Sequence, residues 1–202
     1  MALRYAVHAY SWTSSWSNKS LWIIDHVKDL GFDVIEVPLM EIDLVDPEAI
    51  RERLDSASLG VCCSVVLSRE TDITSPNPSV REAGVRFLKR CLDAADRMGS
   101  GLLSGVIYSA LGYLPEEEPG PAHWDRAASA LREVARYAED LGITIGLEPV
   151  NRYETFLINT CDQAMEMVQR IGMENVAIHL DAYHMNIEEN DFYNPTLKAA
   201  PH

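Results

Sequence analysis

The sequence has no long hydrophobic run, little positive charge and few cysteines, and each shortage excludes a class of protein. No apolar stretch approaches the roughly 20 residues of a membrane-spanning helix, so we expect no membrane partner. The chain has 17 basic and 31 acidic residues, which give a net charge of −14. This charge repels phosphate backbones and argues against a nucleic-acid partner. The 4 cysteines lack the spacing of a disulfide framework or zinc cluster, and the N-terminus lacks a secretory pattern. We therefore expect a cytoplasmic location.

What is present is typical of a globular protein. Hydrophobic residues make up 47% and charged residues 24% of the 202 positions, which is enough chain for a sizeable core. No linker, composition shift or low-complexity segment divides the chain. We therefore expect residues 1–202 to form a single domain.

A dipeptide that ends in glycine recurs along the chain, each time at the end of a segment with helical periodicity. Glycine just past a helix adopts the left-handed conformation that caps the last carbonyls without a Cβ penalty. Each pair is therefore predicted to end a helix and to lead by a short turn into a strand. The pairs are Leu30-Gly31, Leu59-Gly60, Met98-Gly99, Leu141-Gly142 and Ile171-Gly172.

Short apolar runs alternate with these helical segments, and they predict strands at 5–8, 33–37, 61–67, 102–107, 143–148 and 176–181. Alternating strand and helix indicates parallel strands with right-handed crossovers. The connections after strands, such as 68–78 and 109–121, are long and polar, and we expect the three glutamates at 116–118 to be a solvated loop. Long loops on one rim favour a TIM (β/α)8 barrel. We expect the barrel to be truncated after about six βα units, with its C-terminal units missing; the alternative is a complete open, doubly wound sheet.

Two of the predicted strands end in acidic residues. Glu148 closes the fifth strand and Glu154 follows in the loop after it. Asp181 closes the sixth strand, and His184 follows three residues later. Carboxylates at the ends of neighbouring strands can share a divalent cation, and hard oxygen ligands suit Mn²⁺ or Mg²⁺. The simpler alternative is that each acid caps a helix or pairs with Arg152.

His8, Trp16 and His179 are further polar or aromatic residues near predicted strand ends. His8 ends the first strand and Trp16 lies in the loop after it, where they could line a sugar pocket, since aromatic faces pack on the C–H side of sugars. An equally acceptable reading is that the loop aromatics only cover the barrel mouth. His179 should point inward below Asp181, and we interpret it as a hydrogen-bonded interior histidine.

The two strand-end motifs resemble the signature strands of the D-tagatose and D-psicose (allulose) 3-epimerases, in the xylose-isomerase-like TIM-barrel superfamily. The segments that carry the resemblance are 148–154, Glu-Pro-Val-Asn-Arg-Tyr-Glu, and 180–189, Leu-Asp-Ala-Tyr-His-Met-Asn-Ile-Glu-Glu. Residues 31–37 are similar to the second strand of that family. The resemblance extends over residues 5–194.

The resemblance implies roles for the matching positions. Glu148 would be both a metal ligand and the catalytic acid/base that moves the C3 proton of a ketose, and Asp181 would be a second metal ligand. Glu154 and His184 would bind the ketose near O1 and O2, and His8 and Trp16 correspond to pocket-wall positions. The implied cofactor is Mn²⁺, with Mg²⁺ or Co²⁺ as alternatives, and the implied assembly of the full-length protein is a homo-oligomer.

In this family the second catalytic acid, a histidine ligand and a substrate-binding arginine lie beyond the sixth strand. We therefore expect this chain to be a fragment that is inactive alone, and we do not assign His202 a ligand role. One alternative is a hydroxypyruvate isomerase or sugar-phosphate epimerase, in which Arg69 and Arg152 are the candidates to bind a substrate phosphate. Another is a non-catalytic sugar-binding remnant. A barrel-type DNA-repair endonuclease is disfavoured by the negative charge.

Overall fold

The computed structural model describes residues 3–115 and 119–201, so the predicted solvated loop at 116–118 and His202 lie outside the described residues. Strands and helices alternate through this part of the chain. The strands are Ala6–His8 (β1), Val34–Pro38 (β2), Gly60–Ser64 (β3), Leu102–Gly105 (β4), Thr144–Leu147 (β5) and Val176–Ile178 (β6). The helices are Trp22–Asp29 (α1), Pro47–Ala57 (α2), Pro78–Met98 (α3), Pro121–Asp140 (α4), Cys161–Ile171 (α5), Ala182–Glu188 (α6) and Tyr193–Ala199 (α7).

The sheet follows the order of the chain, β1-β2-β3-β4-β5-β6. The register is parallel: Ala6 pairs with Val34, Val34 with Gly60, and Ile145 with Val176. A doubly wound sheet reverses its strand order at a switch point, whereas barrel strands follow one another in sequence. The order without a reversal confirms the barrel-type α/β fold and excludes the doubly wound alternative.

Helix ends explain most of the recurring glycines. Gly172 caps α5 with φ of 67° and donates its N–H to the Val168 carbonyl. The prediction for Gly60 is wrong, because the left-handed residue after α2 is Ser58, with φ of 49°, and Gly60 opens β3. A Cβ at Gly60 would meet the Arg4 guanidinium and would lie 3.1 Å from the Asp33 carbonyl oxygen, so a larger residue there would require both groups to shift.

Contacts between Cα atoms divide the chain into two compact units. Unit 1 comprises Met1–Val65 and Arg90–Leu103, and unit 2 comprises Val66–Lys89 and Ser104–His202. Each unit buries large apolar side chains, which stabilise it by roughly 1.5–3 kcal/mol apiece. Unit 1 buries Ile23, Ile24, Ile35, Leu39 and Ile50, and unit 2 buries Leu131, Val134, Ile145, Leu147 and Ile158. Among the described helices, none is long and apolar enough to cross a membrane.

Candidate functional site

Three chemically active side chains of unit 2 meet beyond the carboxyl ends of β5 and β6. Glu148 directly follows β5, Asp181 lies three residues after β6 as the N-cap of α6, and His184 lies within α6. One ligand atom from each residue lies within 4.8 Å of the other two. The side chains of Glu148 and His184 are 16% and 11% exposed. The structure therefore brings together both acids that the sequence singled out, with His184 beside them.

Asp181 caps a helix, as the simpler alternative predicted, and it also lies in the cluster. Its Oδ1 accepts the Tyr183 N–H at 2.6 Å, which caps α6 and fixes the direction of the carboxylate. A carboxylate has two oxygens, and helix capping uses one of them. Two carboxylates and an imidazole within this distance form a donor set that suits a divalent cation such as Mn²⁺. The residues present therefore fit a metal ion, with Glu148 and Asp181 as its oxygen donors.

The backbone of Glu148 is held on both sides. Its N–H donates to the Gly105 carbonyl at 3.2 Å, and its carbonyl accepts the hydroxyl of Tyr108 at 2.9 Å. Tyr108 is fully buried, and this burial raises the pKa of its phenol, which keeps the hydroxyl protonated as a donor. Sequence reasoning missed Tyr108, which lies on the loop after β4.

Two histidine rings approach the Glu148 carboxylate. His179 Nδ1 lies 3.8 Å from Oε2, and His184 Nε2 lies 3.8 Å from Oε1. These separations are longer than a hydrogen bond. His179 Nδ1 is buried without a hydrogen-bond partner in the described part of the chain, so the expectation that His179 is a hydrogen-bonded interior histidine is not met at that nitrogen.

Asn151 connects the two residues that the resemblance assigns to the substrate. Its side-chain Nδ2 donates to Glu154 Oε1 at 2.7 Å and lies 2.9 Å from His184 Nδ1. Asn151 itself is only 1% exposed. Sequence reasoning missed it, although its place in the polar run after β5 was a usable signal. Glu154 and His184 are therefore held by one buried amide.

Arg152 does not neutralise either acid of the cluster. Its guanidinium makes hydrogen bonds to both oxygens of Glu188, at 2.6 to 3.1 Å, and Glu188 also accepts the Arg152 backbone N–H at 2.7 Å. The Glu188 side chain is 4% exposed, and it lies in the last turn of α6. The pairing fastens the helix that carries His184 to the loop after β5.

The Arg152–Glu188 pair predicts a pH-dependent stability. Hydrogen bonds from Arg152 lower the pKa of Glu188, so its contribution is present above its unfolded pKa of about 4.3 and is lost as pH falls through the lower folded value. We expect Glu188→Gln to lower the melting temperature at pH 7, and the difference from wild type to shrink toward pH 3. Calorimetry at both pH values measures this.

The control for this prediction is Glu166→Gln, which breaks an exposed i,i+4 pair with Arg170. Such pairs contribute little because water screens them, so this variant should melt like the wild type at both pH values. If Glu188→Gln also melted like the wild type at pH 7, the pair would not stabilise α6.

His8 and Trp16 lie in unit 1. His8 Nε2 is 3.1 Å from Ser64 Oγ and 3.7 Å from Glu36 Oε1, while its Nδ1 accepts the Tyr10 N–H. Burial lowers the pKa of His8, and the Glu36 charge opposes this shift. Trp16 is 2% exposed, so it is a buried side chain of its unit.

The fold and the site define an α/β barrel-type protein with a candidate metal centre at the carboxyl ends of its strands. Residues 24–201 match the sequence model described as xylose isomerase-like TIM barrel. The chain belongs to this family.

The chain is also similar to individual proteins over nearly its whole length. It is 36% identical to a ketose 3-epimerase of Arthrobacter globiformis over 98% of this chain and 68% of that protein. It is also 36% identical to an L-ribulose 3-epimerase of Methylomonas sp. (strain DH-1), over 98% of this chain and 69% of that protein. The crystal structure of a D-allulose 3-epimerase from Methylomonas sp. in complex with D-allulose superimposes with a TM-score of 0.94 at 35% identity, covering 98% of this chain and 68% of that one. The chain thus spans about two thirds of the length of these relatives.

Proposed function

We propose that this chain is part of a metal-dependent ketose 3-epimerase that inverts C3 of a ketohexose through an enediolate. The observation that carries the proposal is the convergence of Glu148, Asp181 and His184 in a chain similar to ketose 3-epimerases. We also propose that residues 1–202 form one barrel-type domain, which spans about two thirds of the length of the ketose 3-epimerases it resembles. The ion we favour is Mn²⁺, with Mg²⁺ or Co²⁺ as alternatives.

Each residue of the site has a defined task in this proposal. Glu148 and Asp181 would hold the cation, which when bound would polarise the ketone and stabilise the negative charge of the enediolate. Glu148 would take the C3 proton as general base and return it as general acid. Glu154 and His184 would bind the ketose near O1 and O2, and their shared hydrogen-bond network with Asn151 supports this placement. His8 and Trp16 would line the pocket.

Inversion at C3 needs a second acid on the opposite face of the substrate. In the described residues, the other carboxylate of the cluster is Asp181, which is fixed as the cap of α6. In the family this chain resembles, the second glutamate and the remaining metal ligands come from strands after the sixth. We therefore expect the 202-residue chain to form no C3 epimer by itself.

The assay for this prediction incubates the purified chain with Mn²⁺ and either D-fructose or D-tagatose. Chromatography of the sugars should detect no C3 epimer beyond a metal-only blank. Clear conversion by the chain would contradict the proposal that it needs further residues for inversion.

A phosphorylated substrate is the main alternative, and the two candidate arginines disfavour it. Arg152 is bound to Glu188, and Arg69 stacks over the Tyr113 ring at 4.5 Å. A non-catalytic remnant that binds sugar or protein would hold no metal, so metal stoichiometry separates it from the proposed enzyme fragment.

We also propose a cytoplasmic location. The four cysteines carry free thiols, which suits the reducing conditions of the cytoplasm. We also propose that the full-length protein is a homo-oligomer, which light scattering of that protein would test.

A further inference from the structure

The amide of Asn151 uses all its principal hydrogen-bonding capacity inside the site. Its Oδ1 accepts the Tyr153 N–H at 3.0 Å, while Nδ2 reaches both Glu154 Oε1 at 2.7 Å and His184 Nδ1 at 2.9 Å. A backbone N–H can only donate and an ionised carboxylate can only accept. These two partners therefore fix which end of the amide is oxygen and which is nitrogen.

The orientation of the amide determines the tautomer of His184. Both hydrogens of the Asn151 NH₂ group are assigned, one to Glu154 and the other to His184 Nδ1. The backbone N–H of Asn151 also points at this Nδ1, at 3.4 Å. A ring nitrogen that accepts from two donors carries no proton, so in the neutral imidazole the proton resides on Nε2.

We infer that Asn151 is a positioning residue that holds the neutral His184 ring in the Nε2–H tautomer. This tautomer gives a physical reason for the role that His184 has in the proposed function, as a hydrogen-bond donor and not a cation ligand. A histidine that binds a metal through Nε2 uses the lone pair there and normally donates its other N–H to a carboxylate or carbonyl. Here Nδ1 accepts instead, and binding through Nε2 would leave the ring without either proton. This agrees with the proposed assignment of Glu148 and Asp181 as the cation ligands of the cluster.

The same amide couples His184 to Glu154. Glu154 Oε1 receives one hydrogen of Asn151, which leaves a carboxylate acceptor on one side and the His184 Nε2–H donor on the other. A polyol presents both donors and acceptors, so this pair is matched to neighbouring sugar oxygens. The match to sugar oxygens rests on the proposed function, whereas the assignment of the His184 tautomer does not.

The first experiment measures the tautomer directly in the metal-free chain. Long-range ¹H–¹⁵N correlation spectra at pH 8, where an ordinary histidine is neutral, should show the His184 Nε2 as protonated and Nδ1 as unprotonated. A His184→Gln variant assigns the resonance. A protonated Nδ1 in the wild type would overturn the inference, and this result needs no variant of Asn151.

The second arm reverses the tautomer. In Asn151→Asp the isosteric carboxylate replaces the amide donor, 2.9 Å from Nδ1, by an acceptor, while the backbone N–H of residue 151 stays 3.4 Å away. The shorter contact should dominate, so the Nδ1–H form of His184 should become detectable. The matched control is Asn77→Asp, which adds the same charge at a side chain that accepts the Ser79 N–H and can still do so. The control should keep the wild-type tautomer. An unchanged tautomer in folded Asn151→Asp, as judged by circular dichroism, would overturn the role of Asn151.

The third arm uses Mn²⁺ alone and titration calorimetry. His184→Ala should leave Mn²⁺ affinity unchanged, whereas Glu148→Gln should weaken it by about tenfold or more. Equal weakening by both variants would make His184 a ligand and overturn the inference. If the wild type bound no Mn²⁺, the proposed metal site would fail while the tautomer spectra still decide the role of Asn151.

Discussion

Glu148→Gln should abolish exchange of the ketose C3 proton with solvent deuterium. In the proposed reaction Glu148 is the base that the described part of the chain supplies, so it takes the proton from one face and returns a deuteron to the same face. The unmodified chain, although inactive as an epimerase, should therefore label C3 without inverting it. Glutamine keeps the shape of the side chain but cannot take a proton, and loss of a positioned general base lowers rates by about 10²–10⁴-fold.

Mass spectrometry of D-fructose or D-tagatose incubated in D₂O with Mn²⁺ measures this labelling. Glu139→Gln is the control, because Glu139 is an exposed acid of α4 outside the site, and it should label like the wild type. Exchange by Glu148→Gln at the wild-type rate would remove Glu148 from its proposed role. Absence of labelling by the wild type would show that the chain cannot begin the reaction.

The order of the elements follows from local patterns in the sequence. The segment before Leu141-Gly142 is predicted to be a helix from its periodicity. It forms α4, in which Ala127, Leu131, Val134 and Ala138 recur at helical spacing and are fully buried, because a helix with a period of 3.6 residues buries one stripe. Strand ends were predicted less well. β3 ends at Ser64, while Leu67 makes an isolated parallel bridge to Ala110. Where a ladder ends depends on the partner strand, which periodicity does not describe.

In the candidate site, too, the sequence predicts some features from local patterns and misses those that depend on distant residues. Glu148 and Asp181 were found because acids at strand ends are a local signal, and they do converge. The residues that hold the site act over long separations: Asn151 and His184 are 33 positions apart, Arg152 and Glu188 are 36, and Tyr108 and Glu148 are 40. No local pattern joins such residues. The sequence could identify groups that do chemistry, but the hydrogen bonds that orient them required the fold.

Gly84→Ala should destabilise unit 2, although it replaces glycine by the best helix former inside α3. Intrinsic propensity alone would gain about 1 kcal/mol. However, a Cβ at this position would collide with the backbone carbonyl oxygen of Thr71 and lie 2.7 Å from Ile73 Cγ2. A backbone oxygen cannot rotate away as a side chain can, so α3 or the loop after β3 must shift, and overpacking of this kind costs about 1–3 kcal/mol.

The collision should therefore outweigh the gain in propensity, and the melting temperature should fall by several degrees, since about 2–4 °C corresponds to each kcal/mol in a chain of this size. Ser129→Ala separates the two effects, because Ser129 is exposed on α4 and the change improves helix propensity without a collision. That variant should melt at or slightly above the wild-type temperature, as calorimetry can show. An increase in melting temperature for Gly84→Ala would mean that helix propensity, and not the close approach of the loop to α3, determines the residue at this position.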